Sequence, residues 1–281
     1  MKNNVCCVII SYNDVQALVG TINAIYNQVE KVLVIDNGSN EKNINLIKKI
    51  KKNNIEIIFN SSNLGIASAL NIGVKFCVEN NYKYILTLDQ DSLACNGMVE
   101  ELILAHGLKK NIAITCPSYS SDKSLNIFSN NKFSFKNVVI TSGNLIKVEI
   151  FKKVGLFEEK LFIDSVDFDF CLRVRKNNFD IVQVNYLSLN HRLGSVKKIF
   201  NSNIEFIQHS YIRNYYIFRN TIYLLKKYFK DYKLFCFKKV IFTSKLFLEN
   251  IMFNDDRWKV TKYSLIGLKD GLFNNYGKME G

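Results

Sequence analysis

Apolar residues recur along the first 120 positions in two alternating rhythms. Val5–Ser11 is a continuous apolar run, as expected of a strand covered on both faces. Val15–Asn27 then carries Leu18, Ile22, Ile25 and Tyr26 at helical spacing. Val32–Ile35 predicts a short buried strand that runs into the turn signal Asp36-Asn37-Gly38-Ser39-Asn40. Ile44–Lys52 predicts an amphipathic helix with Leu46, Ile47 and Ile50 inward. Further strands are expected at Ile55–Phe59, Tyr84–Leu88 and Ile112–Cys116. Helices are expected at Ile66–Val78 and Met98–Leu108, with a polar loop at Asn60–Gly65. This order predicts an α/β fold with an open, mostly parallel, Rossmann-like sheet flanked by helices. Ligands bind such sheets outside the carboxyl ends of the strands. Four polar clusters fall at those ends: Ser11-Tyr12-Asn13, Asp36-Asn37, Asn60–Asn63 and Asp89–Asp91. Together they predict a nucleotide-sized cleft.

The rhythm changes after Pro117. Residues 118–137 are polar and Ser/Asn-rich and predict an irregular stretch. Asn137–Thr141 reads as a strand followed by Ser142-Gly143-Asn144, Val148–Val154 as a short helix and Phe168–Lys176 as another. Ile181–Tyr186 predicts a strand ending near His191, and from Ile204 the chain reads as a C-terminal helical extension with aromatic and basic faces. The expected boundaries are a catalytic domain over 1–203, in halves 1–117 and 118–203, and a basic aromatic region over 204–281. No repeat or flexible linker is evident.

Composition narrows the class. The chain has 281 residues, 48% hydrophobic, enough for a substantial core in one or two domains. Met1-Lys2-Asn3-Asn4 leads into too short an apolar run for a signal peptide, and no stretch approaches a membrane span, so a cytoplasmic location is expected. Seven scattered cysteines without Cys-x-x-Cys pairs fit buried thiols in a reducing compartment, not a zinc site. The net charge of +13 is concentrated late: Arg192–Lys262 holds fifteen Lys/Arg against five Asp/Glu. Such a region suits nucleic acid, an anionic membrane or a phosphorylated substrate.

The sharpest chemical signal is Tyr84-Ile85-Leu86-Thr87-Leu88-Asp89-Gln90-Asp91, where an apolar run ends in two carboxylates. If strand geometry persisted to the end, Asp89 and Asp91 would point the same way. Converging carboxylates repel unless a cation or proton lies between them, and Mg²⁺ or Mn²⁺ suits oxygen ligands that share a substrate phosphate. The plain alternative is a solvated turn.

In this order the motifs resemble those of the inverting family 2 glycosyltransferases of the GT-A fold, close to the bacterial rhamnosyltransferase branch. The matching pieces are Val8–Asn13, Val34–Ser39, Asn63–Gly73, Leu88-Asp89-Gln90-Asp91, Thr141–Asn144, the 161–173 segment and Arg219-Asn220. The resemblance covers roughly residues 5–220, and it implies a role for each of these pieces. Ser11, Tyr12, Asn13, Asp36, Asn63, Gly65 and Asp89 would bind the nucleotide, with Asp36 accepting the imide N–H of the base. Asp91 and Asp89, with His191, would hold Mg²⁺ or Mn²⁺. Asp167 would be the base that takes the acceptor's proton, although Val166 stands where the family usually has Glu. Gly143, Asn144, Asp164, Asp169, Arg173, Arg192 and Arg219 would lie on the diphosphate or acceptor side. The bland alternatives are a turn-stabilising role for Asp36, a helix N-cap for Asp167 and an i,i+4 ion pair between Asp169 and Arg173. The donor would be dTDP-β-L-rhamnose, or a UDP-hexose. The acceptor would be a hydroxyl of a lipid-linked oligosaccharide in a bacterial cell-surface glycan, at the inner face of the cell membrane. The basic C-terminal helices would either contact the anionic membrane or pack on the core.

Two other classes compete. A nucleic-acid-binding protein would explain charge and aromatics, but there is no RNP motif, helix-turn-helix cue or zinc-ligand set. A nucleotidyltransferase would want a Gly-rich phosphate loop after the first strand, and Ser11-Tyr12-Asn13-Asp14 is not one.

Overall fold

A computed structural model describes residues 4–50, 52–119, 131–191, 196–198 and 205–279. The first part alternates as β1 (Val5–Ser11), α1 (Val15–Ile25), β2 (Lys31–Asp36), α2 (Glu41–Ile47), β3 (Ile55–Phe59), α3 (Ile66–Glu79), β4 (Tyr84–Asp89), β5 (Ser92–Leu93), α4 (Met98–His106) and β6 (Ile112–Tyr119). Then come β7 (Phe133–Lys136), β8 (Asn144–Lys147), α5 (Ile150–Val154), a single 3₁₀ turn (Glu159–Leu161), α6 (Val166–Lys176) and β9 (Asp180–His191). The short pair β10 (Val196–Lys198) and β11 (Glu205–Ile207) precedes α7 (Tyr211–Tyr228), α8 (Lys233–Phe253) and α9 (Arg257–Phe273).

The apolar runs become strands because helices cover the sheet. Every residue of β1 is buried, and Leu18, Ile22 and Ile25 of α1 join Leu102 and Ala105 of α4 in the same core cluster. The nine-stranded sheet runs β3-β2-β1-β4-β8-β6-β9-β5, with β7 on β9. β1, β2, β3, β4, β6 and β9 run one way, and β5, β7 and β8 the other. Parallel register aligns Ser11 with Asp36, Asp36 with Phe59 and Ile10 with Asp89, so the polar clusters do share one edge.

Three local expectations need correction. Asn137–Thr141 is not a strand; the strands flank it as β7 and β8, the former inside the stretch expected to be irregular. Pairing of β7 with β9 overrides its polar local sequence. Leu46 is 41% exposed, because α2 starts at the Asn40 cap and ends at Ile47; Ile47 lies in the core and Ile50, just beyond the helix, packs against it as expected. Finally, β4 ends at Asp89 and a turn carries Gln90 and Asp91, so strand alternation is not what orients the two carboxylates.

The chain divides into two compact units, Met1–Glu158 with Asp167–Arg192, and Glu159–Val166 with Leu193–Gly281. In the second unit α7 packs against α9 at backbone contact: a Cβ on Gly267 would lie 2.3 Å from the Tyr215 carbonyl oxygen, and one on Gly271 2.8 Å from that of Arg219. No helix among the described residues is long and apolar enough to cross a membrane.

Candidate active site

At the end of β1 the chain turns through Asn13, whose φ is +56°. Gln90 fixes this turn from across the sheet edge. Its Oε1 accepts from the Tyr12 N–H at 2.8 Å and its Nε2 donates to the Tyr12 carbonyl at 3.1 Å, the pairing a neighbouring strand would make. Thr21 Oγ1 of α1 donates to the Gln90 carbonyl at 2.6 Å. The Tyr12 backbone is thus held while its side chain stays exposed, a ring face open to a planar ligand. Ser11 is fully buried and its Oγ has no hydrogen-bond partner, an orphan at the same edge.

Asp36 is completely buried, and both carboxylate oxygens accept from Ser39, one from its N–H at 3.0 Å and one from its hydroxyl. This is the turn-stabilising geometry. Ser39 Oγ also accepts the Asn13 N–H at 2.8 Å, which joins the first two loops. Asn13 Oδ1 in turn accepts from the Asn40 N–H at the start of α2. Asn37 links the third loop: its Oδ1 accepts from Leu64 N–H and Asn60 Nδ2, and its Nδ2 donates to Asn63 Oδ1, each at 3.1 Å. Asn63 Oδ1 also accepts the Gly65 N–H at 2.9 Å, just before α3. Gly38 makes this approach feasible. With φ +81°, it sits where a Cβ would fall 2.4 Å from the Ser62 backbone.

Beside this floor lie Asp89, Gln90 and Asp91, half-buried after five buried residues of β4. Ser142 anchors them: its Oγ accepts the Asp89 N–H at 3.0 Å and lies 2.7 Å from Ser92 Oγ. Thr87 holds the same segment, donating to the Thr141 carbonyl at 2.6 Å while its own carbonyl accepts the Gly143 N–H at 2.7 Å. Asn144 faces Thr87 in register and is buried with Oδ1 unpartnered. The pairing of β5 with β9 sets Ser92 opposite His191, so the backbone of His191 comes beside the residue that follows Asp91. The His191 side chain and all of Arg192 lie outside the described residues. Among the described residues no group of three or more acidic, His or Cys side chains is placed so that it could hold a metal ion. Two carboxylates on a partly open turn nevertheless suit a hard divalent ion that keeps water and phosphate ligands, and the orphaned Ser11 and Asn144 oxygens nearby in the register leave further polar capacity.

Asp167 is the second residue of α6, inside the first turn and not at the N-cap. It is half-buried, and its Oδ1 accepts the Phe168 N–H at 2.8 Å. Asp169 is fully buried and bound by Arg173 Nε at 2.9 Å; Arg173 also donates to the carbonyls of Val154, Gly155 and Leu156. These two residues brace α6 against the preceding loop. Tyr119, absent from the sequence-based candidates, donates to the Ser142 carbonyl at 3.0 Å. Its phenol is pushed well above the usual range by burial first, with Cys116, Cys171, Asp167 and Asp89 adding to the shift.

In the second unit, Asp164 and Ser165 adopt left-handed φ values of +61° and +66°. Asn220 Nδ2 donates to the carbonyls of Leu161, Ile163 and Asp164 at 2.9, 2.7 and 2.8 Å. Arg219, 1% exposed, donates to the carbonyls of Lys160, Leu161 and Gly277. The structure thus places Arg219 among backbone carbonyls, as a clamp on the loop before α6. Asp164 Oδ1 is bridged by Arg213 at 3.1 Å while its Oδ2 is buried and unpartnered.

The model of the family described as Glycosyl transferase family 2 matches residues 6–177. The dTDP-rhamnosyl transferase RfbF of Shigella flexneri is 32% identical, covering 81% of this chain and 81% of that protein. A glycosyltransferase of Methanocaldococcus jannaschii is 27% identical over 94% of this chain and 87% of its own. Among solved structures, the mannosyltransferase PcManGT from Pyrobaculum calidifontis, in complex with GDP-Man and Mn²⁺, aligns with TM-score 0.64 at 10% identity, over 99% of this chain and 77% of that one. GalNAc-T7 with UDP, GalNAc and Mn²⁺ aligns with TM-score 0.62 at 12% identity, over 96% and 56%.

Proposed function

The chain belongs to glycosyltransferase family 2 and has the GT-A fold, and from that premise we propose that it transfers L-rhamnose from dTDP-β-L-rhamnose to a hydroxyl of a lipid-linked oligosaccharide. The observation that carries the chemistry is the half-buried Asp89-Gln90-Asp91 turn, fixed at the carboxyl edge of the sheet by Ser142 on one side and Tyr12 on the other. The donor assignment is supported by likeness to a dTDP-rhamnosyl transferase over most of both chains. The acceptor, at the inner face of the cell membrane during cell-surface glycan assembly, follows from the same reading.

In this reading the exposed Tyr12 ring stacks on the base, and Asp36, completely buried and bonded through both oxygens to Ser39, would accept its imide N–H only if the Ser39 loop shifts to uncover it. Ser11 and Asn13, with the Asn63–Gly65 backbone, line the nucleoside. Asp91 and Asp89, with His191, would hold Mg²⁺ or Mn²⁺, which when bound neutralises the charge that develops on the departing nucleoside diphosphate. Gly143 and Asn144 border that diphosphate. Asp167 takes the proton from the acceptor hydroxyl as its oxygen attacks the anomeric carbon from the face opposite the leaving group, which inverts the centre. Asp169 and Arg173 hold α6 so that Asp167 keeps its place. Asp164 and Arg192 are assigned to the acceptor side in this reading, whereas Arg219, buried among the carbonyls of Lys160, Leu161 and Gly277, orders backbone and offers no charge to substrate.

The test is a donor screen with dTDP-rhamnose and UDP-sugars, with Mn²⁺, Mg²⁺ or EDTA, reading nucleoside diphosphate release. The expected result is release from dTDP-rhamnose that EDTA abolishes and that Asp91→Asn and Asp167→Asn both lose. Release from UDP-sugars alone would reassign the donor, and full turnover by both variants would sink the mechanism.

A further inference from the structure

Helix α8 is built inside out. Its inward stripe is Cys236, Lys239, Thr243, Leu246 and Asn250, all buried. The polar members Thr243 and Asn250 are satisfied by α7: Thr243 Oγ1 lies 3.1 Å from Thr221 Oγ1, and Asn250 Nδ2 donates to Asn214 Oδ1 at 2.7 Å. The opposite stripe is Leu234, Phe237, Ile241, Leu248 and Met252, spaced three, four, seven and four apart, which is one helix face. These five side chains are 55% to 69% exposed. A solvated surface helix shows the reverse arrangement. A contiguous apolar stripe on the outside marks a surface that something else covers.

The charges beside the stripe say what. Lys233, Lys238 and Lys245 are exposed along it, and residues 229–253 contain five Lys against Asp231 and Glu249. Glu249 is already engaged by Lys245 at 3.5 Å. An apolar strip with a cationic fringe matches a bilayer whose hydrocarbon begins below anionic headgroups: the apolar side chains enter, and the lysine stems extend to the phosphates. A second copy fits less well. A twofold pairing of α8 faces would set one lysine fringe against another, and like charges repel.

We propose that the outward face of α8 docks on an anionic lipid bilayer surface, lying in its plane. This rests on the helix face alone and stands apart from the donor assignment. The test is flotation of the full chain with vesicles of phosphatidylcholine, with and without phosphatidylglycerol. Wild type is expected to float with the anionic vesicles and far less with the neutral ones. The triple variant Phe237→Ser, Ile241→Ser, Leu248→Ser is expected to stay in solution, with its thermal melt unchanged because those positions face away from the core. The pair Lys238→Gln, Lys245→Gln keeps the stripe and is expected to bind anionic vesicles roughly thirtyfold more weakly. Absence of flotation by wild type would overturn the proposal, as would flotation unaltered in the triple variant. So would sedimentation showing a wild-type dimer that the triple variant abolishes.

Discussion

A neutral amide, Gln90, holds the candidate metal turn and the candidate nucleotide loop together through two bonds to one peptide. Gln90→Ala removes both, and at about 1 kcal/mol each the loop loses roughly 2 kcal/mol of order. A raised KM for the donor with a smaller change in kcat is the expected outcome in steady-state kinetics. Asp167→Asn should instead lower kcat by about 10²–10⁴, the usual contribution of a general base, while KM for the donor stays put. His106 yields a prediction about stability. It ends α4 and is buried against the sheet, its ring nitrogens facing the Ile112 and Leu145 carbonyls, and burial brings its pKa down from 6.5 to about 4. The unfolded chain therefore takes up a proton before the folded one does. The stabilisation is complete above about pH 6.5 and is lost as pH falls toward 4, on the order of 3 kcal/mol. Chemical denaturation across that window should show the slope in wild type and its reduction in His106→Gln. Asp89, Asp91 and Asp167 stood out as candidates in the sequence because a carboxylate announces chemistry by its type. Gln90, Asn37, Ser142 and Tyr119 were not. They are common neutral residues whose roles depend on partners far along the chain, 78 positions away for Gln90 and Tyr12.

Among the elements, the early alternation of strand and helix could be read from apolar rhythm, since burial on both faces leaves continuous runs. Of the later strands, β9 was read in the same way, from Ile181–Tyr186, whereas β7 and β8 could not be. β7 owes its state to β9, and β8 is a four-residue strand inserted antiparallel between β4 and β6. At Gln90–Asp91 the sequence left strand and turn both open, and the structure has a turn, with Ser142 holding the Asp89 N–H just before it. The inversion of α8 was equally hidden, because apolar spacing marks a stripe without saying which way it faces. The contact between α7 and α9 depends on a small residue. Gly267→Ala places a methyl against the Tyr215 carbonyl and should cost about 1–3 kcal/mol, seen as a lower melting temperature. Gly20→Ala in α1, whose Cβ would meet only a Leu93 side-chain atom at 3.5 Å, serves as the control and should be neutral or slightly stabilising.

At the scale of the molecule, the basic charge and the aromatics separate into different roles. Tyr215, Tyr216, Phe218 and Tyr228 of α7 are core, whereas Phe237 and Phe242 of α8 are exposed. Apart from the buried Arg219 and Lys239, the charge excess of the described C-terminal helices lies on or near their surface, and the aromatics described both a core and a surface. The division of the chain also cuts across its linear order. Residues 159–166 belong with the C-terminal helices, while Asp167 onward belongs with the sheet. Asn220→Ala frees three carbonyls of that stretch at once, and the expected readout is a fall in kcat with donor KM preserved, since the nucleotide loops are untouched.

That interleaving sets a schedule for synthesis. A ribosome that has emitted β1 through β9 has delivered the strands, the acidic turn and Asp167, yet Leu161–Asp164 still lacks the Arg219 and Asn220 side chains that grip its backbone, and Arg219 itself awaits Gly277. Sheet assembly can proceed as the chain emerges, but the segment leading into α6 takes its left-handed shape only after roughly a hundred further residues have been added. The backbone that Arg219 and Asn220 grip is thus completed by residues made well after the strands of the sheet.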